Sequence, residues 1–413
     1  MVKCVLIRPR YLSVWESLAC GYIASYLKRY YKGDLELQFF DGFFDTDEEI
    51  IKGSVDSDYV GFSCTSPQMK HALALAEEIK RQNLKVKTVF GGHHPSSLPE
   101  ETKAYPQVDI VVTGEGETGM LMALQKKRTT CAYLPIENLD TIPFPDRRLI
   151  RQERTIAITE KNDGERIASV LSSRGCFFNC VFCTGDHDVF PGAPRRRSVG
   201  NVLDEIEGLV KEWRIDFLKF SDVELNTSKQ WLQDFCREKV ARHITVPFGC
   251  NIHAALIDKW TLEMMKDANC REVWIGIESG SPRILAEMGK SITVPMVENV
   301  FRWAKEVGIL RRAYFMCGFS SERREDFDMS LELAERLDAD RYGLTILAPY
   351  PGTQVYSDYK DALGLERVDW SSVDEYSNNV WGTPAFSNQQ LKDLQKEFTE
   401  KFRDRLVWRQ KKC

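Results

Sequence analysis

Three cysteines stand close together in the run Ser173-Arg-Gly-Cys176-Phe-Phe-Asn-Cys180-Val-Phe-Cys183, a C-x₃-C-x₂-C spacing. Three thiolates on one short loop can each take a different iron of a cubane cluster. Such clusters ordinarily take four thiolates, so a three-thiolate loop leaves one iron open. An open iron can chelate the amino and carboxylate groups of S-adenosylmethionine. An electron from the cluster then breaks the sulfonium C–S bond and gives a 5′-deoxyadenosyl radical. Zinc is the plainer alternative, but it favours four closed ligands in paired spacings such as C-x₂-C. No fourth partner with that spacing follows, although His187 is near enough to consider. The other nine of the 12 cysteines are scattered along the chain. They read mostly as small buried apolar side chains, and no disulfide framework is expected.

The elements around the triad repeat a strand-then-helix pattern. Strands are predicted near 167–172, 216–221, 246–250, 272–277, 311–317 and 342–347, and helices near 200–213, 228–240, 259–268, 281–288, 295–307 and 324–337. Six such units predict a partial (β/α)₆ barrel over residues 165–358. Reactive groups gather at the carboxyl ends of the strands in barrels of this kind, and the triad follows the first of these strands. The chain before it alternates in the same way. Val2–Ile7, Leu35–Phe40, Tyr59–Ser63, Val86–Phe90 and Val108–Val112 read as strands, separated by runs of helical periodicity such as His71–Arg81. Alternation predicts right-handed βαβ units on a parallel sheet. Residues 1–125 are therefore expected to form a doubly wound, Rossmann-like domain with its ligand site beyond the carboxyl ends of the strands. Residues 126–164, punctuated by Pro135, Pro143 and Pro145, read as a linker. Residues 359–413 read as a C-terminal helical extension ending in a charged helix, Asn388–Gln410, and are expected to cap the barrel mouth.

At the triad, with Phe182 before its last cysteine, the sequence resembles the radical S-adenosylmethionine superfamily. Further segments resemble the subgroup with an N-terminal cobalamin (B12)-binding domain. They are Arg195-Arg-Arg-Ser-Val, Asp204-Glu-Ile-Glu, Phe220-Ser-Asp-Val-Glu, Ile275-Gly-Ile-Glu-Ser-Gly-Ser and Pro349-Tyr-Pro-Gly-Thr. The resemblance covers roughly residues 2–125 and 165–358. It implies that Cys176, Cys180 and Cys183 ligate a [4Fe–4S] cluster. It implies S-adenosylmethionine contacts from the Phe182 backbone, Asp222, Glu224, Glu278 and Ser279, with Leu347–Pro349 lining the adenine pocket. A structural partnership with a backbone amide is the plainer role for Glu278. Relatives often have Arg where His253 stands, and Gly-Leu-Pro-Gly-Glu-Thr where this chain has Gly318-Phe-Ser-Ser-Glu-Arg.

In the first domain, small residues at strand ends permit the close approach a large corrinoid needs. Ser63, Thr65 and Ser66 after the third strand, Gly91 and Gly92 after the fourth, and Gly114 after the fifth suit cobalamin. The D-x-H-x-x-G motif that offers cobalt a histidine is absent; the loop reads Arg8-Pro-Arg-Tyr-Leu-Ser. Many members of the resembling subgroup lack it too. His93 and His94 are read as hydrogen-bonding partners for the nucleotide tail or for protein. Gly114-Glu-Gly-Glu-Thr-Gly119 matches G-x-G-x-x-G, yet it follows the last predicted strand, whereas a dinucleotide fingerprint belongs to the first βαβ unit. Glu115 and Glu117 would also repel a pyrophosphate. The alternative is a vestigial domain that shapes the substrate pocket.

With both cofactors, the expected reaction is methyl transfer to an unactivated carbon of a small-molecule or natural-product intermediate. The deoxyadenosyl radical would take a hydrogen atom and the substrate radical would take methyl from methylcobalamin. A radical dehydratase, epimerase or cyclase is the rival reading, and a non-enzymatic iron–sulfur carrier is another. An external one-electron reductant of flavodoxin or ferredoxin type is implied. A net charge of −5 gives no field directing the chain to nucleic acid or membrane, and no apolar stretch approaches the roughly 20 residues of a membrane span. An oxygen-sensitive cluster implies a reducing, cytoplasmic setting. For the substrate pocket, Arg195–Arg197 offer either an anion contact or a solvated loop. Tyr314, Tyr350 and Trp381 offer either lining or packing.

Overall fold

A computed structural model describes the chain except residues 12, 15, 126–129, 132–133, 185–188, 191, 366–367, 374–379 and 408–413. His187 therefore lies outside the described residues. The chain divides into two compact units. One comprises Met1–Gly164, Thr184–Arg197 and Tyr350–Ser372, and the other Glu165–Cys183, Ser198–Pro349 and Val373–Cys413.

The first unit is built on β1 (Val2–Arg8), β2 (Leu35–Asp41), β3 (Tyr59–Ser63), β4 (Lys87–Gly91), β5 (Ile110–Val112) and β6 (Thr130–Cys131), in the order β2-β1-β3-β4-β5-β6 with every pair parallel. Helices α1 (Leu18–Tyr30), α2 (Asp47–Ser54), α3 (Met69–Gln82), α4 (His93–Ser97), α5 (Pro99–Ala104) and α6 (Gly116–Leu124) make the connections. The central strands read as nearly unbroken apolar runs because both faces are covered. Val5, Ile7, Val60, Phe62, Phe90 and Val111 are buried together, with Phe62 stacked on Phe90. The order reverses direction at β1 and β3, so the crevice beyond their carboxyl ends is the ligand-binding position of such sheets. Six strands form this sheet where periodicity predicts five, because β6 is only two residues long. The region read as a linker holds a helix, α7 (Gln152–Asp163), and packs within this unit.

In the second unit, β7 (Ile167–Val170), β8 (Phe217–Phe220), β9 (Phe248–Asn251), β10 (Cys270–Glu278), β11 (Leu310–Cys317) and β12 (Arg341–Ile346) lie side by side in chain order, all parallel. This is the expected six-stranded partial barrel. Helices α8 (Val199–Trp213), α9 (Lys229–Ala241), α10 (Lys259–Asp267), α11 (Pro282–Glu287), α12 (Val294–Val307) and α13 (Arg324–Leu337) connect them. Five of these begin at Ser198, Ser228, Asp258, Ser281 or Thr293, whose side chain accepts an amide of the first turn. Along β11 burial alternates, with Ala313, Phe315 and Cys317 enclosed and Arg312, Tyr314 and Met316 half-open. The enclosed face meets helices. Between strands and helices, Lys239 donates to the carbonyls of Ile244, Val246 and Ala268 at 2.7, 2.8 and 2.9 Å.

After β12 the chain forms α14 (Gln354–Leu363), which belongs to the first unit, and then α15 (Asn388–Lys401) in the second. The expected cap over the barrel mouth is not what α15 forms. Phe398 of α15 packs on Phe315 and Tyr342, which face outward from the sheet. Farther on, Leu406 pairs with Tyr342 in a parallel bridge. The extension thus supplies an outer helix of the barrel, because an apolar stripe of Leu391, Leu394 and Phe398 meets an uncovered apolar strand face. Among the described residues, no helix is long and apolar enough to cross a membrane.

Candidate functional site

Strand β7 ends at Val170, and the chain then enters the cysteine loop. Asp222, just past β8, anchors that entry. Its carboxylate accepts from the Ser172 amide at 3.2 and 3.0 Å, from Ser172 Oγ at 2.7 Å, and from Ser173 Oγ. Asp222 is 2% exposed, so its carboxylate is committed to the loop. The far side of the loop is tied to the turn after α11. Val181 N donates to Met288 O at 3.0 Å. Gly289, at φ +66°, lies so close that a Cβ would stand 3.0 Å from Asn179 O. Within the loop, Phe178 stacks on His253 with centroids 3.8 Å apart and an interplanar angle of 11°.

The three thiols are unbridged; Cys176 is buried, and Cys180 and Cys183 are half-buried. Burial pushes the Cys180 thiol up, and Lys290 partly offsets this. Among the described residues no three His, Cys, Asp or Glu side chains converge as a single ion would require. A cubane places each thiolate on a different iron, so its ligands stand farther apart than those of one zinc.

Beside the loop lies a polar group drawn from three strand ends and from the turn after α11. Lys290 Nζ bonds Glu278 Oε1 at 3.0 Å, with side chains 8% and 13% exposed. Burial alone would lower the Lys290 pKa, but Glu278, Glu224 and Cys180 outweigh it and hold it above the ordinary value. Glu278 takes a left-handed backbone, φ 67°, where its strand ends. Glu224 Oε2 is enclosed without a hydrogen-bond partner, and burial lifts its carboxyl to about 8. His253 is held through its own backbone by Asn226, which accepts from His253 N at 2.8 Å and donates to His253 O at 2.9 Å. Its Nδ1 accepts from Ala255 N, which leaves the proton on Nε2. That Nε2 is enclosed and unpartnered, and burial, with Lys290 adding to it, lowers the ring's pKa to about 3. Two enclosed polar atoms with nothing to bond are costly unless a ligand completes them.

The remaining predicted residues differ in placement. Ser279 is fully buried and turns inward to Ser281 N and Ser330 Oγ, within the turn that starts α11. Leu347 is buried, its amide on Cys317 O at 2.9 Å, and Pro349 is buried. Phe182 is half-buried in the cysteine loop. Tyr314 sits on the half-open strand face, whereas Trp381 is fully buried with its indole donating to Gly318 O at 2.6 Å. Lys290, Gly289 and Phe178 are not singled out by sequence reasoning. The one available signal is Gly-Lys directly after a short helix. The cleft of about 460 Å³ lined by Arg271, Glu272, Leu310, Arg312, Asp340 and Arg341 lies at the amino ends of the strands, away from this group.

In the first unit, the predicted small residues gather at the ends of β3 and β4. Gly92, at φ +99°, passes Cys64 so closely that a Cβ would stand 2.7 Å from Cys64 O. Thr65 Oγ1 donates to Gln68 Oε1 at 3.0 Å, and Ser66 Oγ meets His94 Nδ1 at 2.9 Å. Burial lowers the His94 pKa to about 4, so it stays neutral. Ser63 and Gly91 end their strands, and Gly114 N donates to Ser96 Oγ at 3.0 Å. Small residues thus form a cradle at the carboxyl ends of β3 and β4, the position where sheets of this kind bind ligands.

Two motifs find structural employment. Gly116 lets α6 approach Ile23, and Gly119 lets it approach Val112, where a Cβ would come within 2.6 and 2.1 Å. Glu115 accepts from Ile136 N at 3.0 Å and pairs with Arg195, which also donates to Ile136 O at 2.7 Å. Arg197 is buried against the Phe144 ring. Arg195 and Arg197 are thus internal ties of the first unit, neither a solvated loop nor an open anion contact.

The sequence profile of the Radical SAM superfamily matches residues 170–334, and that of the B12 binding domain matches residues 6–123. An uncharacterised methyltransferase of Pyrococcus horikoshii is 32% identical over 329 residues, which cover 75% of this chain and 70% of that protein. An anaerobic magnesium-protoporphyrin IX monomethyl ester cyclase of Rubrivivax gelatinosus is 27% identical over 380 residues, covering 84% and 67%. The fold matches the radical S-adenosylmethionine methyltransferase TsrM of Kitasatospora setae with a TM-score of 0.76 at 16% identity, over 100% of this chain and 92% of that one. The chain belongs to the radical S-adenosylmethionine superfamily, in the subgroup with an N-terminal cobalamin-binding domain, and its cofactors are a [4Fe–4S] cluster, S-adenosylmethionine and cobalamin.

Proposed function

We propose that this chain methylates an unactivated carbon of a small-molecule or natural-product intermediate. The observation that carries the reading is that one chain holds both a three-thiol loop on a barrel and a glycine cradle on a doubly wound sheet. When bound, the three cofactors supply hydrogen abstraction and a transferable methyl group, chemistry no side chain can perform. The residues hold and shield. Cys176, Cys180 and Cys183 take the cluster. Asp222 and the Gly289 turn fix the shape of the loop. Glu224, its carboxyl pushed up to about 8 by burial, and the Nε2–H of His253 offer two unused polar positions for the methionyl end of S-adenosylmethionine. Lys290, charged and paired with Glu278, offers a carboxylate partner there. The Phe182 backbone, Leu347 and Pro349 supply the adenine surface, while Ser279 supports the turn behind Glu278. In the first unit Gly91, Gly92 and Gly114 admit the cobalamin, and Ser63, Thr65 and Ser66 offer it hydroxyls. A one-electron reductant of flavodoxin or ferredoxin type and a reducing cytoplasm follow from the chemistry of such a cluster.

The test begins with cofactor content. The protein is purified anaerobically, its cluster is reconstituted, and hydroxocobalamin is titrated while visible spectra and cobalt per chain are recorded. About one cobalt per chain with a perturbed corrin spectrum supports methyl transfer. Deoxyadenosine formed from S-adenosylmethionine with no cobalt retained overturns it. The similarity to a cyclase favours a second reading, radical cyclisation. S-adenosylmethionine labelled in its methyl group separates the two, since only a methyltransferase moves the label into product.

A further inference from the structure

The segment that follows the barrel strands returns to the first unit. Helix α14 and the turn Trp370–Ser372 pack there. That turn lies against the turn Ser66–Gln68 and against α3. Ser66–Gln68 directly follows β3 and, with Thr65, carries the hydroxyls at the mouth of the glycine cradle. Trp370 is 8% exposed, and its ring lies 5.8 Å from Tyr350 and 6.2 Å from Tyr356 by centroid. Lys70, at the start of α3, bonds Asp369 at 2.6 Å with both side chains largely in solvent. An exposed pair of this kind contributes at most about 1 kcal/mol, so the aromatic cluster does most of the holding.

We propose that the Trp370 turn forms a wall of the cobalamin site, with Trp370 fixing the position of the Thr65–Gln68 turn. This rests on the cobalamin reading of the first unit. The segment sets the Trp370–Ser372 turn against the Ser66–Gln68 turn, whose Ser66 bonds His94 beside Gly92. The wall also explains why the chain leaves the barrel at Pro349, visits the first unit, and then returns at Val373.

The test titrates hydroxocobalamin into the full chain with reconstituted cluster, following bound cobalt and the corrin spectrum, with iron per chain and thermal stability measured alongside. In Trp370→Ala, cobalamin affinity is expected to fall about tenfold with iron per chain unchanged. Should Trp370→Ala fail to fold, the charge exchange decides. Asp369→Lys and Lys70→Asp should each weaken cobalamin binding two- to threefold, and the double variant should restore it. Equal cobalamin affinity in wild type and Trp370→Ala, or no restoration in the double variant, overturns the wall and leaves the cobalamin reading standing. A wild-type chain that retains no cobalt overturns both.

Discussion

Asp222 lies close to the chemistry without facing it. Its carboxylate accepts from Ser172 and Ser173, at the root of the cysteine loop. Asp222→Asn replaces one acceptor oxygen with a donor, and hydrogen bonds to a charged group contribute about 1.5–3 kcal/mol each. Iron per chain after reconstitution should fall by at least half, while cobalamin binding is unchanged; full iron loading would show that the loop shapes itself. Glu322 makes a prediction about pH. Its Oε2 accepts from the Gly318 and Phe319 amides at 2.6 and 3.2 Å, its Oε1 is enclosed without a partner, and burial lifts it from 4.5 to about 7. A carboxyl raised on folding stabilises while neutral. Its contribution is complete below pH 4.5 and is lost as pH rises through about 7. In denaturant melts across that window, Glu322→Gln should flatten the downward slope, and an unchanged slope would remove Glu322 as its source. Residues of this kind explain what was legible. The cysteines announce themselves by spacing. Lys290 carries no local pattern and gains meaning only when β10 sets Glu278 beside it. Asp222 was legible as a strand-end carboxylate, but its direction, toward Ser172, depends on which strand lies next to β8.

Most elements were legible from their period, down to β5 with three residues and α11 with six, but α7, with twelve, was read as linker, and β6 and α4 were not foreseen. Strand β6 has two residues and α4 five, too few for either periodicity to register. The position of α15 had a different cause. Its apolar stripe foretold burial but could not say against what; the partner is mainly the outward face of β12. Phe398→Ala should therefore cost about 3–5 kcal/mol, as large-to-small changes in a packed core do. A midpoint unchanged in urea would mean that the extension is dispensable to the barrel. Gly92 tests the first unit at the same scale. Its φ of +99° with ψ of −168° belongs to a region occupied essentially by glycine alone, and a Cβ would meet the Cys64 carbonyl. Gly92→Ala should abolish retained cobalt and leave iron per chain intact. Retention of both would exclude β4's end from the cobalamin site.

The whole molecule consists of two units whose cofactors are held by separate residues, yet the proposed reaction needs both on one substrate. Loading should accordingly be independent and turnover should not be. The triple variant Cys176→Ala, Cys180→Ala, Cys183→Ala should bind cobalamin as the wild type does and contain no cluster iron. Gly92→Ala should show the reverse. Neither should transfer a labelled methyl group, because hydrogen abstraction without a methyl donor, or a methyl donor without abstraction, leaves the carbon unmethylated. Their mixture is the more telling experiment. A radical made on one chain is not held in place for a methyl group carried by another, since the advantage of fixed reacting groups, worth about 7–11 kcal/mol, is lost between separate molecules. The mixed variants should therefore remain inactive. Labelled product from the mixture would mean that the two half-reactions are separable, and that substrate leaves one unit before it meets the other.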